Sequence, residues 1–255
     1  MEVAFTWREY VPLFYVPIPK RHNPIVIVPT YNKVAIKVST SSSDSIIISD
    51  ELSTEVTNLI KIFLSLLQSE IGELPGLVIK VAVENSGKIG INSTYLYVAV
   101  TNAIMYFLSG EVSSEITESA KVFDRTIGVD DSVLALREFT SVKDGHAYIW
   151  RLNEGYVMSD KQVLLKLQKV NRYLMNYVEH EFTDLITHIA GVATIRVFEK
   201  LFNNKSITSE LRTLNAVWHI LYGVPLPQEI TNSGYIYVKE IDGCSLYKIL
   251  GLRSE

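Results

Sequence analysis

A polar stretch between a predicted strand and a predicted helix carries the residue types best suited to bind an anion. Residues 85–92 read NSGKIGIN and follow the alternating, β-branched stretch 77–83. Asn tolerates a positive φ better than most residues with a side chain, so Asn92 can take the place of a glycine. Ser93 or Thr94 then caps an apolar helix. Unpaired N–H groups at such a helix start suit a phosphate, although an ordinary strand–turn–helix corner has the same pattern.

Two adjacent carboxylates, Asp130 and Asp131, form the second group that could do chemistry. They follow Gly128 in the segment TIGVDDSV, residues 126–133, after a predicted helix. A phosphoryl-transfer enzyme needs oxygen ligands for Mg²⁺ and a group that orients or deprotonates the attacking hydroxyl. Aspartate can supply both. The alternative is an acidic turn in which one aspartate caps the following segment.

A third candidate, the set of His180, Asp184 and His188, has the i, i+4, i+8 spacing of one helix face. Histidines at such spacing bind zinc when a third ligand converges on the ion. Three side chains spread over two helical turns cannot all reach one ion, because each turn rises by about 5.4 Å. The pattern therefore favours a solvated stripe.

The elements that must position these residues are predicted from periodicity and from breaker residues. The first quarter of the chain is predicted to be mostly β, because short β-branched runs alternate with proline-rich and serine-rich turns. The predicted elements of the N-terminal half are strands over 3–16, 25–28, 34–38, 46–48 and 77–83, helices over 51–71, 93–108 and 113–123, irregular chain over 124–134, and hairpin strands over 148–152 and 156–158.

The remaining part of the chain is predicted to be helical and then closed by strands. Its predicted elements are helices over 163–188 and 189–202, a helix to 221 after an N-cap signature at 206–210, and strands over 235–240 and 245–250. The change of character near residues 155–160 indicates an α+β protein rather than regular βαβ alternation. We expect an N-terminal domain over 1–155 and a C-terminal domain over 156–255.

Composition narrows the class of protein. The chain has 255 residues and a net charge of −4, and Lys and Arg form no cluster longer than a pair, so nucleic acid is not an expected partner. Its apolar stretches are too short or too interrupted to span a bilayer and no signal peptide is recognisable, so no membrane partner is expected. The single cysteine, Cys244, excludes an internal disulfide and fits a reducing compartment, so we expect a cytoplasmic protein.

The polar stretch before the helix resembles the second motif of the GHMP kinase superfamily, which includes galacto-, homoserine, mevalonate and phosphomevalonate kinases. That motif is usually written P-x-x-x-G-L-G-S-S-A-A. In this chain its positions are taken by Ser86 for the proline, Gly90 and Ile91 for Gly-Leu, Asn92 for the second glycine, Ser93 and Thr94 for the serine pair, and Tyr95 and Leu96 for the alanines.

The aspartate pair resembles a further segment of the same superfamily. The run Gly128-Val129-Asp130-Asp131 is similar to the Gly-Val-Asp-Asn segment of mevalonate kinases. The glycine-rich third motif, near the C-terminus, is reduced here to Gly243, and the first motif is not recognisable in residues 5–16. The resemblance therefore covers the order of the elements and two motifs.

The resemblance implies a GHMP-kinase-like α+β fold. A β-rich, mixed N-terminal half with the phosphate-loop helix would bind nucleotide, and a helical C-terminal half closed by strands would cover the substrate. It also implies Mg²⁺-dependent transfer of the γ-phosphoryl group of ATP to a hydroxyl of a small metabolite. On matching positions, Asp130 becomes the catalytic base, and Ser93 and Glu118 become the Mg²⁺ ligands. The residues implied to hold the phosphates are Lys88, Ile89, Gly90, Ile91, Asn92, Ser93 and Thr94.

Two other hypotheses stay open. The reduced first and third motifs, together with Tyr95 beside the implied phosphates, favour a GHMP-like fold that has lost catalysis and serves as a binding or scaffold subunit. The third hypothesis is an unrelated α+β protein, in which residues 85–93 would not lie near Asp130. The sequence does not identify the metabolite, and it allows a homodimer.

Overall fold

A computed structural model describes residues 2–43, 45–48, 52–84, 90–203, 205–226, 234–241 and 243–254. The predicted phosphate-binding residues Lys88 and Ile89 lie outside these ranges. Within them, the chain forms eight strands and six α-helices, which confirms the predicted α+β class. No helix in the described ranges is both long and apolar enough to cross a membrane.

The strands form where β-branched and aromatic residues alternate with polar ones. They are β1 (Glu2–Phe14), β2 (Ile25–Thr40), β3 (Ile46–Ile48), β4 (Leu77–Glu84), β5 (His146–Arg151), β6 (Gly155–Tyr173), β7 (Tyr235–Glu240) and β8 (Gly243–Ser254). Residues 29–33 were expected to connect two strands, but they continue β2. The reason is that β1 pairs alongside them, with a register shift between Arg8 and Tyr10 that accommodates the irregular region.

The first four helices begin at a residue whose side chain caps the helix, and the last two do not. They are α1 (Thr54–Ile71), α2 (Ser93–Ser109), α3 (Ser114–Ile127), α4 (Asp131–Leu136), α5 (Thr183–Phe202) and α6 (Thr208–Tyr222), with a turn of 3₁₀ helix at Arg137–Thr140. The expectation of irregular chain over residues 124–134 is wrong. Gly128 ends α3 in the left-handed conformation, and Asp130 caps α4, so only a short corner separates the two helices.

All eight strands belong to one mixed sheet. Their order is β3-β4-β2-β5-β6-β8-β7, and β1 pairs with β2 outside this path. Most neighbours are antiparallel, whereas β3 runs parallel to β4 and a single parallel bridge joins Thr30 of β2 to Leu165 of β6. Because β2 pairs with β1, β4 and β5 of the N-terminal half and is bridged to β6 of the C-terminal half, both halves of the chain are attached to this strand.

Opposite faces of β1 and β2 enter two hydrophobic cores. Tyr10, Ile25 and Ile27 belong to the first core, with α1, α2 and α4. Val11 and Val26 belong to the second core, with α5 and α6. This division follows from the period of two along a strand. The two cores therefore share β1 and β2, and the predicted domain boundary between residues 155 and 156 stays a prediction.

Strand β6 corrects the helix predicted over residues 163–188. In the structure, buried Val163, Leu165 and Leu167 alternate with more exposed residues, which is the period of a strand and not of a helix. The same residues pair with β8 in antiparallel register. The apolar spacing of residues 163–173 also suits a helix, and pairing with β8 decides for the strand. The helix α5 begins only at Thr183.

The histidine stripe changes with this correction. His180 lies before the first residue of α5, so His180, Asp184 and His188 do not share one helix face. Asp184 forms an ion pair with Arg21 at 2.7 Å. Among the described residues, no group of three His, Cys, Asp or Glu side chains could hold a metal ion.

Candidate ligand-binding site

The N-terminus of α2 carries the backbone N–H groups that were predicted from the sequence to bind a phosphate. Asn92 is the N-cap of this helix: its Oδ1 accepts a hydrogen bond from the backbone N–H of Tyr95 at 3.1 Å, and its φ is −66°. The expectation that Asn92 replaces a glycine at positive φ is therefore wrong. The cap is supplied by Asn92 and not by Ser93 or Thr94, which form the first turn.

The carboxylate of Glu240, at the end of β7, occupies the donors of Ser93. Glu240 Oε2 accepts hydrogen bonds from Ser93 N at 2.6 Å and from Ser93 Oγ at 2.5 Å. Glu240 Oε1 accepts from Lys169 Nζ at 2.8 Å and from the Tyr247 hydroxyl at 3.0 Å. The Glu240 side chain is only 1% exposed. The negative charge that the start of α2 favours is thus supplied by the protein itself.

A second carboxylate, that of Glu9 in β1, takes the adjacent backbone donor. Glu9 Oε1 accepts from Asn92 N at 2.7 Å, and Glu9 Oε2 accepts from Thr30 Oγ1 and Asn32 Nδ2, each at 2.7 Å. Burial raises the pKa of the Glu9 carboxyl above its ordinary value, and the nearby charge of Glu240 acts in the same direction. The hydrogen bonds from its three partners oppose this rise, but burial outweighs them.

The residues present at the start of α2 do not fit the phosphates of a nucleotide in this arrangement. The N–H groups of Asn92 and Ser93 and the Ser93 hydroxyl already donate to carboxylates. A phosphate brought to the same donors would lie beside Glu240 and Glu9, and like charges at such short range repel. The N–H and hydroxyl donors predicted to bind an anion are thus present, and they bind two carboxylate side chains of this protein.

The predicted Mg²⁺ ligand Glu118 lies on α3. Its Oε1 accepts a hydrogen bond from Lys121 Nζ at 2.7 Å, and Lys121 also bonds Glu138. The Glu118 side chain is 63% exposed. In the part of the chain that the structure describes, no hydrogen bond or ion pair joins Glu118 to Ser93. The assignment of both residues as Mg²⁺ ligands stays a prediction.

Asp130, the predicted catalytic base, is the N-cap of α4. Its Oδ1 accepts from Ser132 N at 2.9 Å, and its Oδ2 accepts from the Tyr15 hydroxyl at 3.1 Å. Burial, followed by the charge of Asp130, raises the pKa of Tyr15 well above its ordinary value, so Tyr15 is a neutral donor. Each carboxylate oxygen has a second lone pair, so capping does not exhaust the ability of Asp130 to accept a hydrogen bond from a ligand.

Two cavities meet at Asp130. One has a volume of about 360 Å³ and is called the helix-side cavity here, because Thr94 of α2 lines it. The other has a volume of about 330 Å³ and is called the loop-side cavity, because residues 17–22 line it. Both cavities are lined by Gly128, Val129, Asp130 and Lys239. Together they form one groove, the Asp130 groove. Thr94 and Asp130 share the helix-side cavity.

Lys239 of β7 supplies a cation at the centre of the Asp130 groove. Its Nζ donates to the backbone oxygen of Glu240 at 2.7 Å, and its own backbone oxygen accepts from Asn92 Nδ2 at 3.2 Å. Burial lowers the pKa of the Lys239 ammonium group, and the charge of Asp130 opposes this change. Among the described contacts, the ammonium group uses one of its three N–H donors.

The loop-side cavity carries further charged side chains. His22 Nδ1 lies 2.6 Å from Asp131 Oδ2. Arg21 is neutralised by two carboxylates of the C-terminal half, at 2.7 and 3.2 Å. Lys20 has a φ of 61°, an unusual value for a residue with a side chain. Among the described ion pairs of this cavity, neither Lys20 nor Lys239 has a carboxylate partner.

The other predicted phosphate-binding residues lie beside the Asp130 groove. Gly90, Ile91 and Ser93 line a third cavity of about 340 Å³, together with Lys169 and Glu240.

Sequence reasoning missed the carboxylates that occupy the start of α2. Glu9 continues the inward-facing positions of Phe5 and Trp7 along β1, so an acidic residue on an otherwise apolar face was a readable signal. Glu240 gave no local signal, because its partner Ser93 lies 147 residues away in the sequence. Contacts of this range depend on the register of the whole sheet.

No family model and no curated protein matches this sequence. Solved structures, however, match nearly the whole chain. The mevalonate kinase of Methanococcus jannaschii has a TM-score of 0.64 and 12% identity, over 98% of this chain and 91% of that one. The phosphomevalonate kinase of Streptococcus pneumoniae has a TM-score of 0.57 and 11% identity, over 100% of both chains. The mevalonate diphosphate decarboxylase of Enterococcus faecalis, described by its mevalonate diphosphate mediated ATP binding, has a TM-score of 0.61 and 9% identity, over 98% and 90%.

These matches show that the chain has the fold of the GHMP kinase superfamily, to which all three neighbours belong. They confirm the fold that the two motifs implied. The sequence identities to these neighbours are only 9–12%. The likeness shows the fold alone, so activity and ligand must be argued from the residues of this chain.

Proposed function

We propose that this protein is a non-catalytic binding or scaffold protein built on the GHMP-kinase fold. It binds a small metabolite in the Asp130 groove, and it does not hold the phosphates of ATP at the start of α2. The observation that carries the proposal is the buried carboxylate of Glu240, which accepts both the backbone N–H and the hydroxyl of Ser93.

The energy of that contact supports exclusion of a nucleotide. A phosphate that took the donors of Ser93 would have to separate Glu240 from Ser93, Lys169 and Tyr247. Breaking a buried ion pair costs about 3–5 kcal/mol. Lys169 is 26% exposed, so the lower end of that range applies. A cost of about 3 kcal/mol lowers affinity roughly a hundredfold, before repulsion between the phosphate and the displaced carboxylate is added.

The second candidate is the Mg²⁺- and ATP-dependent small-molecule kinase implied by the motifs. The observation that favours it is the cavity shared by Thr94 and Asp130, because the phosphoryl group of ATP and the hydroxyl of the metabolite would have to meet between these two residues. ATP binding described for the Enterococcus faecalis neighbour also supports this candidate. For this function Glu240 would have to leave Ser93, and the assignments of Asp130, Ser93 and Glu118 would apply.

Isothermal titration with Mg²⁺ and a non-hydrolysable ATP analogue distinguishes the two candidates. The matched set is the wild type, Ser93→Ala and Glu240→Gln, which removes the charge and keeps the shape of the side chain. We expect no binding to the wild type in the millimolar range. Binding to the wild type that Ser93→Ala weakens would overturn the proposal and establish the kinase site. Binding that appears only in Glu240→Gln would identify Glu240 as the excluding group.

The remaining properties of the proposal concern location and partners. We propose a cytoplasmic protein with a small-molecule ligand, and the net charge of −4 supports the expectation that nucleic acid is not a partner. The two domains, 1–155 and 156–255, belong to the proposal, as does the possibility of a homodimer. Light scattering of the purified protein at several concentrations measures the oligomeric state.

A further inference from the structure

We infer that two copies of this chain associate through one edge of β1, with residues 2–8 of one copy paired antiparallel to residues 2–8 of the other. This surface, the side of residues 2–8 that faces away from β2, is called the β1 edge here. The two-fold axis of the pair passes beside Phe5, so the sheet of one copy continues into the next. The inference rests on the proposed function in one respect, because a homodimer is part of that proposal. It adds the surface and the register.

The β1 edge has no strand partner in the part of the chain that the structure describes. There, β1 pairs with β2 alone, from Glu2 to Phe14. The stretch without a second partner ends at Arg8, whose backbone oxygen accepts from the Tyr95 hydroxyl at 2.7 Å. Alternate residues before Arg8 turn backbone N–H and C=O groups towards the β1 edge, and such groups are a template for another strand.

The composition of the β1 edge lacks the usual protection of an edge strand. Proteins blunt such edges with proline, with lysine, with bulges or by keeping the strand very short. Strand β1 has 13 residues, and residues 3–7 read VAFTW, with no charge and no proline. Its register shifts and Pro12 come only after Arg8. A stretch rich in β-branched and aromatic residues on an unprotected edge is expected to pair with another strand.

The charges at the two ends of the β1 edge are complementary to each other. Glu2 and Arg8 stand three residues before and three residues after Phe5. An antiparallel pair centred on Phe5 therefore places Glu2 of each copy opposite Arg8 of the other, and opposite charges at such positions stabilise a sheet. A centre at Ala4 or at Thr6 would place Glu2 opposite Thr6, or Arg8 opposite Ala4, and the pairing of charges would be lost.

Both charged residues keep bonding capacity for a second copy. Glu2 forms an ion pair with Lys37 at 2.8 Å through one carboxylate oxygen, and its side chain is 55% exposed. Arg8 donates from Nε to Asp144 at 2.9 Å and from Nη1 to the backbone oxygen of Thr30 at 3.2 Å. Among the described contacts, the Nη2 of Arg8 and the other oxygen of Glu2 have no partner. The geometry of a guanidinium group allows it to bind two carboxylates at once.

The inward face of β1 supplies apolar contacts in the same register. Val3, Phe5 and Trp7 are half-buried against the first core, and the rings of Phe5 and Trp7 stack with centroids 4.9 Å apart. Pairing centred on Phe5 places the two Phe5 rings opposite each other and Val3 opposite Trp7, which are favourable cross-strand pairs. A cavity of about 310 Å³, lined by Trp7, Phe139 and Val142, lies beside the position that Val3 of the second copy would take.

Sedimentation velocity of the purified protein over a range of concentrations tests for the dimer. Seven residues from each copy form a small contact, so we expect a reversible dimer with a dissociation constant in roughly the micromolar range. A protein that stays monomeric up to about 300 μM would overturn the inference. The β1 edge would then be open to an extended strand of a different protein instead.

A pair of matched variants locates the contact. Ala4 is exposed, and in the inferred register it lies diagonally opposite Ala4 and Arg8 of the second copy. Ala4→Lys therefore brings like charges together, and we expect it to weaken the dimer about tenfold. The control is Ala82→Lys, on the same exposed face of the sheet but in β4, which β2 separates from β1. A dimer that Ala4→Lys leaves unchanged, or that Ala82→Lys weakens equally, would overturn the inference.

Disulfide trapping tests the register. Ala4 of one copy faces Thr6 of the other, at a separation that a disulfide can bridge. With oxidised glutathione as the oxidant, an equal mixture of Ala4→Cys and Thr6→Cys chains should form covalent dimers faster than either variant alone. Cys244 is buried and does not compete. Covalent dimers that form as fast in one variant alone, or in neither the variants nor the mixture, would refute pairing centred on Phe5.

The two proposals fail in different ways. Residues 2–8 do not line the described cavities that meet at Asp130. Binding of the ATP analogue at the start of α2 would overturn the non-catalytic function, and it would leave pairing through the β1 edge intact. A protein that stays monomeric would remove the β1 pairing, and it would leave the exclusion of ATP by Glu240 intact.

Discussion

Replacement of Glu240 by alanine tests whether its contacts with α2 are built into the fold. The substitution removes a carboxylate that is 1% exposed and leaves four donors without their partner: Ser93 N, Ser93 Oγ, Lys169 Nζ and the Tyr247 hydroxyl. A buried donor that loses its acceptor costs about 1–3 kcal/mol. Lys169 is partly exposed and water can replace its bond, so it adds little. Removal of the Glu240 carboxylate also removes its repulsion with Glu9, which offsets part of the loss of stability.

We therefore expect Glu240→Ala to lower the free energy of unfolding by about 3–5 kcal/mol. Urea unfolding followed by circular dichroism and by tryptophan fluorescence measures this change, with the slope against urea compared between variants. Glu240→Gln is the control for shape. It retains an acceptor for Ser93 and loses only the charge, so its destabilisation should be smaller, about 1–3 kcal/mol.

A small effect would refute this reasoning. If Glu240→Ala lowers the free energy of unfolding by less than about 1 kcal/mol, Glu240 is a loosely held side chain that a ligand could displace. The proposed exclusion of ATP would then lose its physical basis. Lys169→Met measures how much of the loss in Glu240→Ala comes from the ion pair between Glu240 and Lys169. The two substitutions are combined in a double-mutant cycle for this purpose.

Three further perturbations test other parts of the structure. Burial raises the pKa of Glu9 above its ordinary 4.5, so the folded state binds this proton more tightly than the unfolded state, and stability should fall as pH rises through the folded-state pKa. Glu9→Gln should flatten this dependence in thermal unfolding measured from pH 4.5 upward. Arg137→Leu should cost about 3–5 kcal/mol in urea unfolding, because it leaves Asp124 buried without its cation, and addition of Asp124→Leu should restore most of the loss. Tyr15→Phe should cost only about 0.5–1.5 kcal/mol by the same measurement, because Asp130 keeps its bond to the α4 backbone.

The features that the sequence predicted well depend on local patterns. The strand β4 and the apolar helix α2 follow from alternation and a capping residue type within about 30 positions. The motif resemblance assigned residues 88–94 and Asp130 to one site, and Thr94 and Asp130 line one cavity. The N-cap of α2 was predicted one or two residues late, at Ser93 or Thr94, because Asn92, Ser93 and Thr94 are all capping residue types.

The features that were missed depend on pairing between distant segments. Residues 163–173 have apolar spacing that suits either a helix or a strand, and the pairing with β8 decides for the strand. Burial of Glu9 depends on β1 lying against β2, where Thr30 and Asn32 stand opposite its carboxylate. A periodic pattern in one segment carries no information about which partner strand or which polar group will face it.

Polar residues at the start of α2 bind this helix to the end of β7. Asn92 caps α2 through its side-chain oxygen and donates from its side-chain nitrogen to the backbone of Lys239. Ser93 donates to Glu240, and its hydroxyl accepts from the backbone N–H of Ile241. These bonds tie the start of α2 to the end of β7, which joins elements from the two halves of the chain. The same bonds give a packing role to polar residues that have the spacing of a phosphate motif, so their presence does not by itself argue for ATP.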